Sequence, residues 1–147
     1  MPNLNATATS LPPATLDALN RAFTHRYHSL ARYILDAKPY VSEADAATLA
    51  IVRRLADWDG RQAERLADFL EEHEAIPQVT PYEHDIAELN YLALEYLRGI
   101  LAAKLVREAD DAERSAAASA GCPPAREALA RLARNLREWA ALVGGKK

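Results

Sequence analysis

Apolar residues recur every three or four positions in four stretches of the chain, which is the spacing of a single buried helix face. The first stretch predicts a helix that begins at Thr15, as N-cap, and runs to about Ala37 before Pro39 stops it. Its inward face would consist of Leu16, Leu19, Phe23, Tyr27, Leu30 and Ile34. No stretch has the alternation of a β-strand, so the pattern predicts an all-α protein.

The second helix is predicted to be unusually long. Ser42 is a suitable N-cap, acids follow in the first turn, and the apolar spacing continues to about Glu74. At 1.5 Å per residue this helix would measure about 48 Å. The segment Asp57 to Gly60 could instead form a turn, because Asp-Gly is a frequent turn pair. We predict one continuous helix, because the apolar positions keep the same phase on both sides of Gly60. Its inward side chains would be Leu49, Val52, Ala56, Ala63, Leu66 and Leu70.

The third helix has a clear start, because Thr80 and Glu83 form a Thr-x-x-Glu capping box. From Ile86 to Val106 it is apolar on almost every side, which predicts a central helix surrounded by others. We expect residues 107–114 to continue it in solvent and residues 116–121 to form a loop.

The fourth helix is predicted from about Pro124 to Val143, ending at Gly144 and Gly145. It would bury Leu129, Leu132, Leu136, Trp139 and Val143. Four helices with short connections predict an antiparallel four-helix bundle. We expect residues 1–13 to be a flexible N-terminal arm and residues 14–147 to be one domain.

Composition excludes several classes of partner. The net charge is -3 and basic residues are interleaved with acidic ones, so we expect no nucleic-acid interface. Charged residues interrupt the apolar run from Leu89 to Val106, which excludes a membrane span there. Residues 1–10 lack the basic and apolar regions of a secretory signal, and we expect a cytoplasmic protein. Cys122 is the only cysteine, which leaves no intramolecular disulfide and no cysteine-based metal site.

Several segments resemble ferritin-like proteins, especially rubrerythrins and bacterioferritins. The run Asp59-x-x-Gln62-Ala63-x-x-Leu66 has the rhythm of the iron-binding motif Glu-x-x-His-Ala-x-x-Leu. Residues 27–33 resemble the first helix of such chains, and residues 70–77 resemble the end of the second. The resemblance implies a ferritin-like four-helix bundle.

The resemblance also implies that the di-iron site is degenerate. Ferritin-like di-iron enzymes use one Glu from each of two helices and a Glu-x-x-His pair from each of the other two. At the matching positions this chain has Arg26 in the first helix, Asp59 and Gln62 in the second, Glu88 and Glu95 in the third, and Leu136 and Trp139 in the fourth. Since a guanidinium, an amide, a leucine and a tryptophan cannot neutralise two ferrous ions, we expect no bound metal or other cofactor.

The leading functional hypothesis is a non-catalytic bundle that serves as a homo-oligomeric or partner-binding protein, with no catalytic residues. Its candidate core polar cluster consists of Arg26, Asp59, Gln62, Glu88 and Glu95, in which an arginine–carboxylate pair would replace the lost metal. The same residues could instead be peripheral and solvated. The rival hypothesis is a divergent metal-dependent redox protein that uses Asp59, Glu88 and Glu95.

His25 and His28 have a metal-compatible i, i+3 spacing, but the apolar stripe places them on the outer face, and we expect them to be exposed. His73 and His84 are expected to be loop residues flanking the connection between the second and third helices.

The connection between the second and third helices is short for a ferritin-like crossover. Residues 75–81 can span about 20 Å, much less than the second helix. Either that helix ends early or the bundle is plain up-down-up-down. A fourth helix of about 30 Å also cannot cover its longer neighbours, which predicts an uncovered apolar patch and a homodimer.

Overall fold

The computed structural model describes residues 11–79, 81 and 92–145, and within these ranges its regular structure is helical apart from an isolated bridge between Tyr40 and Ala93. The predicted all-α class and helical bundle are confirmed for these ranges. The α-helices in chain order are α1 (Pro13–Tyr27), α2 (Leu30–Asp36), α3 (Ala46–Glu72), α4 (Leu94–Ala118) and α5 (Pro123–Gly144). A short 3-10 helix, Glu43–Asp45, leads into α3.

The first predicted helix is two helices, so the prediction of a continuous element from Thr15 to Ala37 is wrong. The break falls at His28 and Ser29, where Ser29 has an extended backbone and its hydroxyl accepts a hydrogen bond from the Arg32 backbone N–H. Serine is a preferred N-cap because its side chain satisfies an otherwise free N–H of the first turn. Tyr27, the last residue of α1, is 59% exposed, against the prediction that it is inward.

The first helix also starts earlier than predicted. α1 begins at Pro13, which suits proline because the first helical N–H has no intrahelical partner. Thr15 lies in the first turn, where it is buried, and its hydroxyl donates to the Ser119 hydroxyl at 3.2 Å. Leu11, from the predicted arm, is also buried. Residues 1–10 of that arm lie outside the described ranges.

The long second helix is confirmed as α3, which continues through Gly60 and measures about 40 Å. A capping box stabilises the short 3-10 helix that precedes α3. The Ser42 backbone N–H and hydroxyl both donate to the Asp45 carboxylate at 2.9 Å. The inward positions follow the predicted phase, with Leu49 half-buried and Val52, Ala56, Ala63, Leu66 and Leu70 buried.

The third predicted helix differs from the structure at both ends. Leu92 and Ala93 are not helical: the Tyr40 N–H donates to the Leu92 carbonyl and the Tyr40 carbonyl accepts from the Leu94 N–H, so α4 starts only at Leu94. The predicted capping box at Thr80 and Glu83 falls outside the part of the chain that the structure describes. At the other end α4 continues to Ala118, into the predicted loop.

The environment of α4 also differs from the prediction. It is not surrounded by other helices over the described residues, because Tyr96, Gly99, Ala103 and Val106 form an exposed stripe along it. Its other side packs on α5 along most of its length and on α1.

The fourth helix, α5, follows the prediction closely. Pro123 and Pro124 open it, and Gly145 ends it in the left-handed conformation at φ 76°, where glycine has no steric penalty. Leu129, Leu132, Leu136 and Val143 are buried as predicted, whereas Trp139 is half-buried. None of the helices in the described ranges combines the length and apolarity needed to cross a lipid bilayer.

Candidate functional site

The candidate site is a buried ion-pair network centred on Arg26, in the last turn of α1. The Arg26 side chain is 2% exposed, and its two terminal nitrogens point to different helices. Nη1 donates to Asp59 Oδ1 on α3 at 2.5 Å, and Nη2 donates to Glu108 Oε1 on α4. One guanidinium therefore links three helices in the interior.

Ser29 completes the partners of Asp59. Its hydroxyl donates to Asp59 Oδ2 at 2.6 Å, so both carboxylate oxygens accept a hydrogen bond. Because Ser29 caps α2 with the same oxygen, the break between α1 and α2 is what brings this hydroxyl to the carboxylate. We refer to Arg26, Ser29, Asp59 and Glu108 as the Arg26 cluster.

Aromatic and aliphatic side chains enclose the Arg26 cluster. The Trp58 ring centroid lies 5.8 Å from the Arg26 guanidinium carbon, a distance suited to a cation–π contact, and Trp58 in turn packs on Trp139. Leu136 is 1% exposed and lines a cavity of about 10 Å³ together with Arg26 and Glu108. This volume approaches the minimum for one water molecule, about 10–15 Å³.

The Arg26 cluster contains two carboxyl groups and one guanidinium. Asp59 and Glu108 together carry two negative charges when ionised, whereas Arg26 carries one positive charge. Burial alone would lower the pKa of the Arg26 guanidinium, but the two carboxylates outweigh this effect and raise that pKa. Burial raises the pKa of the Asp59 carboxyl, against the opposing effects of Arg26 and Ser29, and the charge of Glu108 raises it further.

His25 adjoins the Arg26 cluster at its rim. Its Nδ1 lies 3.7 Å from Glu108 Oε2, and its side chain is 30% exposed, so it is less exposed than the sequence predicts. Burial lowers the pKa of His25, although the Glu108 charge opposes this change. The lowered pKa favours the neutral imidazole, which supplies no positive charge to the Arg26 cluster.

Two buried polar atoms of the Arg26 cluster have no hydrogen-bond partner in the described structure. They are Arg26 Nε and Glu108 Oε2. A buried polar atom without a partner carries a desolvation penalty, so such atoms point to an unmet interaction.

The structure brings together only part of the predicted polar cluster. Arg26 and Asp59 meet in an ion pair, as just described. Gln62 is half-buried and lines a separate groove between α3 and α5. The placement of Glu95 in the core is wrong: its side chain is 69% exposed, pairs with Arg98, and lies about 20 Å along α4 from Glu108. Glu88 lies outside the described residues.

Glu108 and Ser29 complete the site and were not predicted. Glu108 continues the inward series of α4, which includes Leu101, Leu105 and Ala112, so the helical phase of the sequence contains the signal for its burial. Ser29 carries a weaker signal, because a serine before an apolar residue is common inside a helix as well as at its start.

The residues present do not fit the di-iron centre that the resemblance implies. Among the described residues, no three His, Cys, Asp or Glu side chains form a group able to hold a metal ion. The cationic group between Asp59 and Glu108 is instead a guanidinium, which donates hydrogen bonds and cannot ligate a metal. Leu136 and Trp139 contribute apolar surface at the positions that the resemblance assigns to ligands.

Searches of protein-family models, curated proteins and solved structures find no match to this chain.

Proposed function

We propose that this chain is a ferritin-like helical bundle that has lost its di-iron site and serves as a non-catalytic, homo-oligomeric or partner-binding protein of the cytoplasm. The observation that carries the proposal is the guanidinium of Arg26, which lies between two carboxylates on different helices. In a ferritin-like bundle the inward carboxylates of facing helices are neutralised by metal. Here an arginine supplies positive charge to Asp59 and Glu108, so the bundle needs no ion to hold these helices together.

The homo-oligomer part of the proposal is supported by the exposed face of α4. Tyr96, Gly99, Ala103 and Val106 follow one another at spacings of three and four residues, so they lie on one side of the helix. Tyr96 is 61% exposed and Val106 is 42% exposed. Small residues between two larger apolar ones allow another helix to approach closely. We propose that the α4 faces of two copies pack together in a two-fold dimer.

Metal analysis of the purified protein tests the loss of the di-iron site. Protein produced with supplementary iron and manganese should contain far less than one metal ion per chain after dialysis. An Arg26→Lys variant serves as control, because it keeps the positive charge and should be equally free of metal. One or two tightly held iron or manganese ions per chain in the unaltered protein would overturn the proposal.

Light scattering tests the dimer, since the chain has a mass of 16.2 kDa. At micromolar concentration the unaltered protein should have about twice this mass. Val106→Lys should shift it to the monomer, because the substitution places a charge in the proposed interface. Val79→Lys is a matched control, since Val79 is 41% exposed and belongs to the segment that follows α3 and not to α4. A monomeric unaltered protein, or equal effects of the two substitutions, would contradict the α4 interface.

A further inference from the structure

A groove of about 150 Å³ lies between α3 and α5. Its lining is apolar over much of its surface, because Leu66 and Leu132 are buried there and Phe69 is half-buried. The Phe69 ring stacks on His73 with 4.2 Å between the ring centroids, which holds the aromatic side chain in place. Space remains for a ligand because α5 contributes only the small side chain of Ala128 to part of this wall.

Four polar side chains line the same groove, and each can donate hydrogen bonds. They are Gln62 and Arg65 on α3 and Arg131 and Asn135 on α5. Among the described residues, the side chains of Gln62, Arg65 and Asn135 have no hydrogen-bond or ion-pair partner. Arg131 has one weak partner, since its Nη2 lies 3.8 Å from Glu127 Oε1 and both side chains are more than half exposed. The groove therefore presents donors on both helices that the described residues leave largely unused.

The charges of the lining decide which ligand suits the groove. Each helix contributes one guanidinium, and no Asp or Glu of the described ranges is among the lining residues, although the whole chain has a net charge of -3. Guanidinium groups bind carboxylates and phosphates through parallel hydrogen bonds. Phosphate sites commonly add free backbone N–H groups at a helix N-terminus, and this groove lies beyond the first turns of both helices. The lining therefore favours a carboxylate.

The size of the groove sets the size of the ligand. A cavity of about 150 Å³ holds one benzene molecule, so this groove is suited to a single aromatic ring. We propose that the groove binds a small aromatic carboxylate, with its ring against Leu66, Leu132 and Phe69 and its carboxylate paired with Arg65 and Arg131. The proposal is independent of metal content and of the dimer, because none of the lining residues belongs to the Arg26 cluster or to α4.

Four probes test the chemistry of the ligand with the full-length protein. They are benzoate, its neutral analogue benzamide, acetate, which has no ring, and phenyl phosphate. Titrations followed by ¹H–¹⁵N NMR report the affinity and the side-chain amide resonances of Gln62 and Asn135. Benzoate should bind about fivefold or more tightly than benzamide, because an exposed ion pair contributes up to about fivefold, and about tenfold or more tightly than acetate, which leaves the apolar wall uncovered. Absence of saturable binding, equal affinity for benzoate and benzamide, or tighter binding of acetate or phenyl phosphate would overturn the proposal.

Arginine variants test the ion pairs. Arg65→Gln and Arg131→Gln should each weaken benzoate about three- to fivefold and leave benzamide unchanged, and the double variant should bind the two probes equally. Arg53→Gln on α3 and Arg126→Gln on α5 are matched controls, because both are exposed arginines that do not line the groove and each changes the net charge by the same amount. Equal weakening by the control variants, or a preference for benzoate that survives in the double variant, would contradict the assigned pairs.

Two alanine variants locate the ring. Ala128→Leu places a larger side chain in the groove and should weaken benzoate and benzamide alike, about tenfold or more, while the helix is retained because leucine is a good helix former. Ala117→Leu is the control, because Ala117 is an exposed helical alanine of α4 outside the groove, and it should leave both affinities unchanged. Circular dichroism checks that both variants remain folded. Unchanged binding to a folded Ala128→Leu, or benzoate-induced shifts confined to residues outside the groove, would overturn the proposal.

Discussion

At the scale of single residues, Arg26 is the position where a substitution should have the largest effect. Removing one member of a buried ion pair leaves the other charge without compensation, which typically costs about 3–5 kcal/mol. Arg26→Met keeps much of the side-chain volume but leaves both Asp59 and Glu108 without their cation. Urea unfolding at neutral pH should show a loss of stability of about this size or more.

A matched control for Arg26 lies on the same helix. Arg21 also reaches α4, where it bonds to Asp111 at 3.3 Å, but its side chain is 48% exposed. Because exposed ion pairs contribute about 0–1 kcal/mol, Arg21→Met should have a small effect. Comparable losses in the two variants would mean that the Arg26 cluster behaves as a solvated network.

The pH dependence of Arg26→Met gives a second readout. Burial already raises the pKa of the Asp59 carboxyl, and without the guanidinium this pKa should rise further above its value in the unfolded chain. A raised folded-state pKa contributes stability that is present below the unfolded pKa, near 4, and is lost as the pH rises through the folded value. The variant should therefore recover part of its stability in mild acid, relative to the unaltered protein at the same pH.

His25 should affect the pH dependence of stability in the opposite direction, because its pKa is lowered on folding. Burial lowers its pKa from 6.5, so its contribution to stability is present above that value and is lost as the pH falls through the folded pKa. The groups that act on it are Arg26 on its own helix and Lys104, Glu108 and Asp111 on α4. His25→Gln should remove this part of the acid-induced loss. If the stability of the unaltered protein and of His25→Gln fell in parallel below about pH 6.5, this prediction would be wrong.

Part of the Arg26 cluster could be predicted from the sequence. Asp59 shares the inward phase of α3 with Ala56 and Ala63, so its burial follows from helical periodicity. Glu108 has the same signal on α4, yet a lone acid in a polar stretch is more often solvated. Which carboxylates meet Arg26 depends on how the helices pack, and this information is not local to any segment.

At the scale of elements, Ser29 has two roles in the break between α1 and α2. Ser29→Ala removes the cap of α2, worth about 1 kcal/mol, and leaves a buried carboxylate oxygen of Asp59 without a donor, worth about 1–3 kcal/mol. Ser42→Ala removes the hydroxyl from the part-buried capping box before α3, keeps the backbone N–H bond to Asp45, and should cost about 1 kcal/mol. Chemical denaturation should separate the two variants, and equal losses would show that the bond to Asp59 adds nothing.

The element boundaries show where local patterns are insufficient. The continuity of α3 through Gly60 was predictable, because the apolar phase is maintained and a Cβ at Gly60 would meet no obstacle. The break at Ser29 was not, because the apolar spacing also continues across it. There a tertiary contact, the hydrogen bond to Asp59, selects the cap over the helix. At the start of α4, a backbone pairing with Tyr40 replaces helix at Leu92 and Ala93.

At the scale of the whole molecule, the helices are not equally well anchored. Among the described helices, α4 and α5 share the most extensive contact, whereas α2 is only seven residues long and packs mainly on α3. Short helices are marginal on their own, so the order of α2 depends on its cap and on its neighbours. The Arg26 cluster ties the end of α1, next to α2, to both α3 and α4.

Native-state hydrogen exchange should reveal this hierarchy. Amides of α4 and α5 should exchange slowest and those of α2 fastest among the helices, because local opening requires least energy where buried contact is least. In Arg26→Met, protection should fall more in α1 and α2 than in α5, since the lost ion pairs hold the former against the rest of the bundle. The comparison is made under conditions where the variant remains folded. Equal loss of protection in all helices would indicate that the bundle opens only as one unit and that the Arg26 cluster stabilises it globally.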